Sequence, residues 1–124
     1  VHGIDYLIPK TNMDAVSKFD EICTNAIGAT RSVMFGAPCL KTPNGKAAVC
    51  LYKNFLVVKV DAETAKEIRA MDGSKTFEPK EGRPMNGWIQ VGFEYANYWQ
   101  EWTLKAILFV EKIEVKPKKP KKIL

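Results

Sequence analysis

The sequence predicts an α+β fold: an antiparallel β-sheet, built as a meander plus a returning strand, packed with N-terminal, middle and long C-terminal helices. Three observations carry this reading. Apolar residues recur at helical spacing over residues 13–27 and again over 94–112. Between these stretches, β-branched and aromatic runs alternate with tight turn signals from Arg31 to Val60. A further short segment, Trp88 to Val91, reads as another strand.

Each element has a local reason. In residues 13–27, Val16, Phe19, Ile22, Cys23, Ala26 and Ile27 fall three and four apart and so share one helical face. Asn12 is the expected N-cap and Gly28 the expected stop. From Arg31 the period shortens to two, with Val33 and Phe35 alternating against Ser32 and Met34 until Gly36 and Pro38 interrupt the strand. Pro43-Asn44-Gly45 marks a turn, because Asn and Gly tolerate positive φ, and it divides residues 31–41 from 47–53. Lys53-Asn54 offers a second tight turn into residues 55–60, and these three strands should form an antiparallel meander. Asp61 is the expected N-cap of a helix reaching about Met71, with Ala62, Ala65, Ile68 and Ala70 or Met71 inward, and Asp72-Gly73 ends it. Phe77 to Glu78 reads as a short edge strand before residues 79–82 turn the chain. In the closing helix, Tyr95, Trp99, Trp102, Ala106 and Phe109 repeat at four, three, four and three, while Leu108 and Val110 widen the apolar face. Pro117 and Pro120 prevent a helix beyond it, leaving an extended basic tail.

With 124 residues, 46% of them hydrophobic and 27% charged, the chain suits one compact domain, residues 1–112, and a Lys/Pro tail, residues 113–124. Its apolar runs fall far short of the roughly 20 residues a membrane span needs. No charged-then-apolar leader opens the chain, so the expectation is a cytoplasmic protein without a membrane partner. The chain begins Val1-His2-Gly3 without a methionine, and His2 is its only histidine, so no site is built on it. The net charge of +5 looks like a nucleic-acid signal until it is located. Residues 112–124 hold six lysines and one glutamate, whereas residues 1–111 hold thirteen basic and thirteen acidic residues. The basic balance therefore describes a tail, and Lys116, Lys118, Lys119, Lys121 and Lys122 are the candidate nucleic-acid contacts.

No set of residues reads as a catalytic or metal centre, and no cofactor is expected. Cys23, Cys39 and Cys50 are odd in number and lack paired spacing, which suits free thiols better than disulfides or zinc. Nucleophilic catalysis by a cysteine would need a base that a chain with one doubtful histidine does not offer. Gly-rich phosphate loops are missing. Arg83, in Gly82-Arg83-Pro84, carries a planar fork suited to a phosphate or carboxylate, although a solvated arginine or one paired with Glu78 or Glu81 explains it as simply. Met34-Phe35-Gly36 reads either as the lip of a ligand groove or as a buried strand ending in a glycine bulge. The aromatic residues Trp88, Tyr95, Tyr98, Trp99 and Trp102 suit a core face better than a base-stacking surface.

Met34-Phe35-Gly36, the hydrophobic strand Leu56 to Lys59, Asp61, Phe77 with Pro79, Gly82-Arg83-Pro84-Met85 and the closing helix with Trp99 and Trp102 follow one another in a distinctive order. That order resembles the N-terminal domain of the TfoX competence-regulator family of bacteria, over about residues 13–112. The resemblance implies a small α+β domain, loosely similar in build to YjbR-like proteins, with no established catalytic residues to carry over. Two departures stand out: the residues after Lys112 are too few for the helical second domain of longer TfoX proteins, and Ala37-Pro38-Cys39 replaces a small or glycine-rich continuation. The expected function is a non-enzymatic regulatory or interaction domain with a protein partner, aided at nucleic acid by the tail. The alternative is a small-molecule-binding protein, or an enzyme, using a groove near Met34 to Leu40 and Arg83.

Alkylation under denaturing, non-reducing conditions, read by intact mass, should add three labels, one per cysteine. Fewer would contradict the free-thiol reading.

Overall fold

A computed structural model of the chain describes residues 10–34 and 36–113, with side chains from Ala15 onward. The chain runs through helix α1 (Lys10–Asn25), strands β1 (Thr30–Met34), β2 (Ala37–Lys41), β3 (Ala47–Tyr52) and β4 (Phe55–Lys59), and helix α2 (Ala62–Arg69). Strands β5 (Lys75–Thr76) and β6 (Trp88–Val91), a 3-10 turn (Phe93–Tyr95) and helix α3 (Ala96–Glu111) follow. The strands form one antiparallel sheet ordered β1-β2-β3-β4-β6-β5, so the predicted α+β architecture is present.

Register places successive side chains on opposite faces of the sheet. Leu40, Val49, Leu51, Leu56, Val58, Ile89 and Val91 face the helices and join Phe19, Ile22, Ile68, Trp99 and Trp102 in the main core. Cys39, Cys50, Val57 and Trp88 point the other way and form a second, smaller cluster with Phe77, against which Met34, Tyr52 and Met85 pack. The segment 77–87 covers part of that second face. It is pinned there by hydrogen bonds from Phe77 N to Trp88 O at 2.8 Å and from Met85 N to Phe77 O at 2.8 Å.

The middle helix starts where expected, at Asp61, whose carboxylate accepts from Thr64 N at 3.5 Å. That hydrogen bonding to Thr64 holds the Asp61 carboxyl below its ordinary range. Gly73, at φ +87, makes the left-handed exit after it. Lys53 at φ +58 and Gly45 at φ +82 form the two predicted tight turns. Asn44 does more than turn the chain, because its amide donates to Val110 O at 2.8 Å and Ile113 O at 3.1 Å. Val110 O, which also accepts from Ile113 N at 3.0 Å, and Ile113 O lie at the C-terminal end of α3 and just past it, so the turn is tied to the helix end. At the other end of α3, the Trp99 indole donates to Gly92 O at 3.1 Å.

Several boundaries differ from the sequence reading. α1 covers Lys10–Asn25, so Asn12 lies within it rather than capping it. Ala15 is buried on its inner face, whereas Val16 and Ile27 are 49% and 88% exposed. Residues 31–41 form two strands, because the interruption at Gly36, φ +74, is a complete reversal that pairs Met34 with Ala37. The glycine therefore makes a hairpin turn and not a bulge, while Phe35 lies outside the described residues. Val33 shares the helix-side face but sits on an edge strand and stays 65% exposed. The edge strand β5 falls two residues earlier than predicted, at Lys75–Thr76, and Ala62 is exposed. In α3, Thr103 and Ile107 are buried, whereas Leu108 faces solvent. The helix rotates about its Trp99–Ala106 line to seat both tryptophans on the sheet.

Trp99 is fully buried and Trp102 is 2% exposed. Replacing either by Ala should cost about 3–5 kcal/mol of stability through lost burial and the cavity left behind. Chemical denaturation checks this, and an unchanged midpoint for Trp99→Ala would contradict the packing described.

Candidate functional site

The chemistry-bearing residues named from sequence do not converge. Arg83 sits exposed at the tip of the 77–87 segment, where Lys80 and Arg83 form an isolated antiparallel bridge. Arg83 N donates to Lys80 O at 2.8 Å. Glu78 accepts from Gly82 N, and among the described residues Arg83 makes no ion pair with Glu78 or Glu81. The described side chains of Met34 and of Ala37 to Leu40 are divided between the two sheet faces by their alternation, and Arg83 is not part of the lining of the hollow that holds Met34. The lysines Lys116, Lys118, Lys119, Lys121 and Lys122, and His2, lie outside the described residues.

The three thiols are free in this structure. Cys39 and Cys50 are register partners across β2 and β3, both fully buried on the second face. Burial pushes the Cys39 thiol up, against the opposing pull of Lys41, and pushes Cys50 up to about 12 with a smaller contribution from Cys39. Cys23, half-buried on α1, is also raised by burial although Arg31 pulls it down. A nucleophilic cysteine needs its thiolate, so these environments favour core packing over reactivity. Among the described residues, no cluster of three His, Cys, Asp or Glu side chains is placed to hold a metal ion. No helix among them is long and apolar enough to cross a membrane.

Two features of the surface were hidden in the linear sequence. The first is the outer side of α3, where Leu104 and Leu108, one turn apart, are 40% and 53% exposed. Beside them, Leu108, Phe109, Lys105 and Lys112 border a hollow of about 360 Å³ whose opposite wall is Asp61 and Thr64 at the start of α2. Lys105 there is already engaged, at 3.7 Å from Glu67 and 3.5 Å from Glu101.

The second feature is a segregation of charge. The six strands carry Arg31, Lys41, Lys59 and Lys75 and not one acidic residue. Arg31 lies on the helix side, paired with Asp20 at 2.9 Å and stacked over Phe19 at 5.9 Å. Register puts Lys41, Lys59 and Lys75 on the opposite face with Cys39, Val57 and Gln90, and the turn residue Lys46 joins them. Described acidic residues occupy helices, caps and loops instead. The near-neutral sum over residues 1–111 thus conceals a basic sheet face, which sequence counting had assigned to the tail alone.

On that face Met34, Lys46, Ala47, Lys59, Trp88 and Ile113 line a hollow of about 280 Å³. Met34 belongs to the Ala37 end of the sheet, whereas Lys59 and Trp88 pair at the opposite end. Their meeting in one hollow requires the sheet to coil toward this face, and the register shift between Leu40 and Lys41 supplies local bending. No family model matches the chain, and no curated protein matches it.

The raised Cys50 thiol sets a direction for pH dependence. The folded state keeps this proton above the ordinary value of 9.0, whereas the unfolded chain releases it, so stability is intact below about pH 9 and declines as pH rises toward 12. Denaturation midpoints measured across that range should fall less steeply for Cys50→Ala than for the parent chain. Identical slopes would contradict the assignment.

Proposed function

We propose that this chain is a non-enzymatic regulatory or interaction domain, similar to the TfoX N-terminal domain, that works in the cytoplasm through a protein partner and assists transcription regulation. The observation that carries the protein-contact reading is the Leu104–Leu108 pair, half exposed on the outer side of a helix whose inner side is already filled by Trp99, Trp102 and Ala106. The exposed halves of these leucines, beside the hollow at Phe109, contribute no burial to this fold, and they gain free energy when a partner's apolar side chain covers them. The order of motifs shared with the TfoX domain supports the regulatory part. In this proposal Lys116, Lys118, Lys119, Lys121 and Lys122 add weak, sequence-independent affinity for nucleic acid, strongly reduced by salt through counterion release.

The test uses the full chain, the double variant Leu104→Ser with Leu108→Ser, and a chain ending at Lys112. The serine variant should still fold, with a loss of about 1–3 kcal/mol because about half of each side chain is already in water, yet lose the proteins that the parent captures from its own cells. Capture of the same proteins by both would sink the protein-contact reading. Titration of labelled DNA should show binding that disappears with the tail. Equal binding by the shorter chain would move that role to the lysines of the sheet.

A further inference from the structure

We propose that the hollow formed by Met34, Ala47, Trp88 and Ile113, with Lys46 and Lys59 in its lining, is a binding site for a small organic anion: a carboxylate or phosphate between the two ammonium groups and an apolar or aromatic body against the side chains beneath. The site lies on the face of the sheet opposite the helices and does not depend on Leu104 and Leu108.

The lining itself selects this chemistry. Among the described residues, its two charged groups are both cations and no acidic residue borders it. Among the described residues, neither Lys46 nor Lys59 takes part in an ion pair. Lys59 is half-buried, with its ammonium 5.7 Å from the centre of the Trp88 ring. An aromatic face attracts a cation but leaves its positive charge uncompensated, so the ammonium remains available to an arriving anion. The other walls are a thioether, a methyl group, an indole and a branched aliphatic chain, which suit a compact apolar body. A volume of about 280 Å³ lies near the lower end of small-ligand pockets and limits the occupant to a modest molecule. Lys41, whose register partner is Ala47, adds a third positive charge to the same face. The absence of acidic residues from the strands means that the local field draws anions toward it.

The relevant experiment is a two-dimensional nitrogen–proton NMR titration of the full chain with four probes: naphthalene-2-carboxylate, phenyl phosphate, the neutral 2-naphthalenemethanol and a short single-stranded oligothymidylate. Both small anions should shift the Ala47 and Lys59 amides and the Trp88 indole in a saturable way. The neutral alcohol should bind at least about tenfold more weakly, because the charged contact is missing. Lys46→Gln combined with Lys59→Gln should weaken the anions by about tenfold at an unchanged melting temperature. If the double variant does not fold, Lys46→Gln alone, at an exposed position, must still weaken them measurably. Shifts confined to other residues would overturn the proposal, as would equal affinity for the neutral alcohol or no effect of the lysine substitutions. Binding of the oligonucleotide at these residues without either small anion would also overturn it, and would identify a nucleic-acid face instead.

Discussion

The seating of α3 across the middle strands is the constraint on which the other parts depend. Two tryptophans, one alanine and one valine on its inner side are almost wholly removed from water, and each tryptophan is worth several kcal/mol of that burial. The helix is also fixed in register, by the Trp99 indole on Gly92 O before it and by the Asn44 amide on Val110 O and Ile113 O at its end. Side-chain volume therefore holds the helix against the sheet, and directional hydrogen bonds stop it sliding along its axis. The helix's outer side, with Leu104 and Leu108, and the Ile113 wall of the opposite hollow inherit their positions from this arrangement.

The β2–β3 turn links the two faces. Asn44 reaches the helix end, while its neighbour Lys46 lines the hollow on the other side of the sheet. Asn44 also accepts from Thr42 Oγ1 and from Lys46 N, so the turn is closed by its own side-chain network. A tight, internally bonded turn transmits position well because it has few ways to relax.

Much of the fold was legible in the sequence wherever the deciding forces were local. Asp61 as a cap, Lys53 and Gly45 in positive-φ turns, and Trp88 to Val91 as a strand follow from chemistry contained within a few residues. Where tertiary packing decided, local signals failed. Periodicity cannot tell which side of a three-residue-wide stripe meets the sheet, so Leu108 was assigned inward and Ile107 was overlooked. Gly36 signalled a break, but only pairing between Met34 and Ala37 makes that break a hairpin. The candidate site was less legible still. Arg83 drew attention because its type is suggestive, yet a loop tip carries it away from the sheet. Lys46 and Lys59, thirteen positions apart and unremarked in sequence, come together only through strand register and sheet coiling. Alternation along individual strands, combined with the lack of acidic residues in every one of them, was the signal that would have exposed the basic face.

The charge segregation between helices and sheet has a consequence for how the molecule meets an anion as well as for what it binds. With Lys41, Lys59 and Lys75 on the face opposite the helices and no acidic residue in any strand, that part of the sheet carries a locally positive field. A nearby polyanion or charged surface is attracted by that field before any contact forms. The attraction reaches over separations comparable to the Debye length, roughly 8 Å at physiological ionic strength. An anion held on that face would leave the outer side of α3, across the sheet, uncovered.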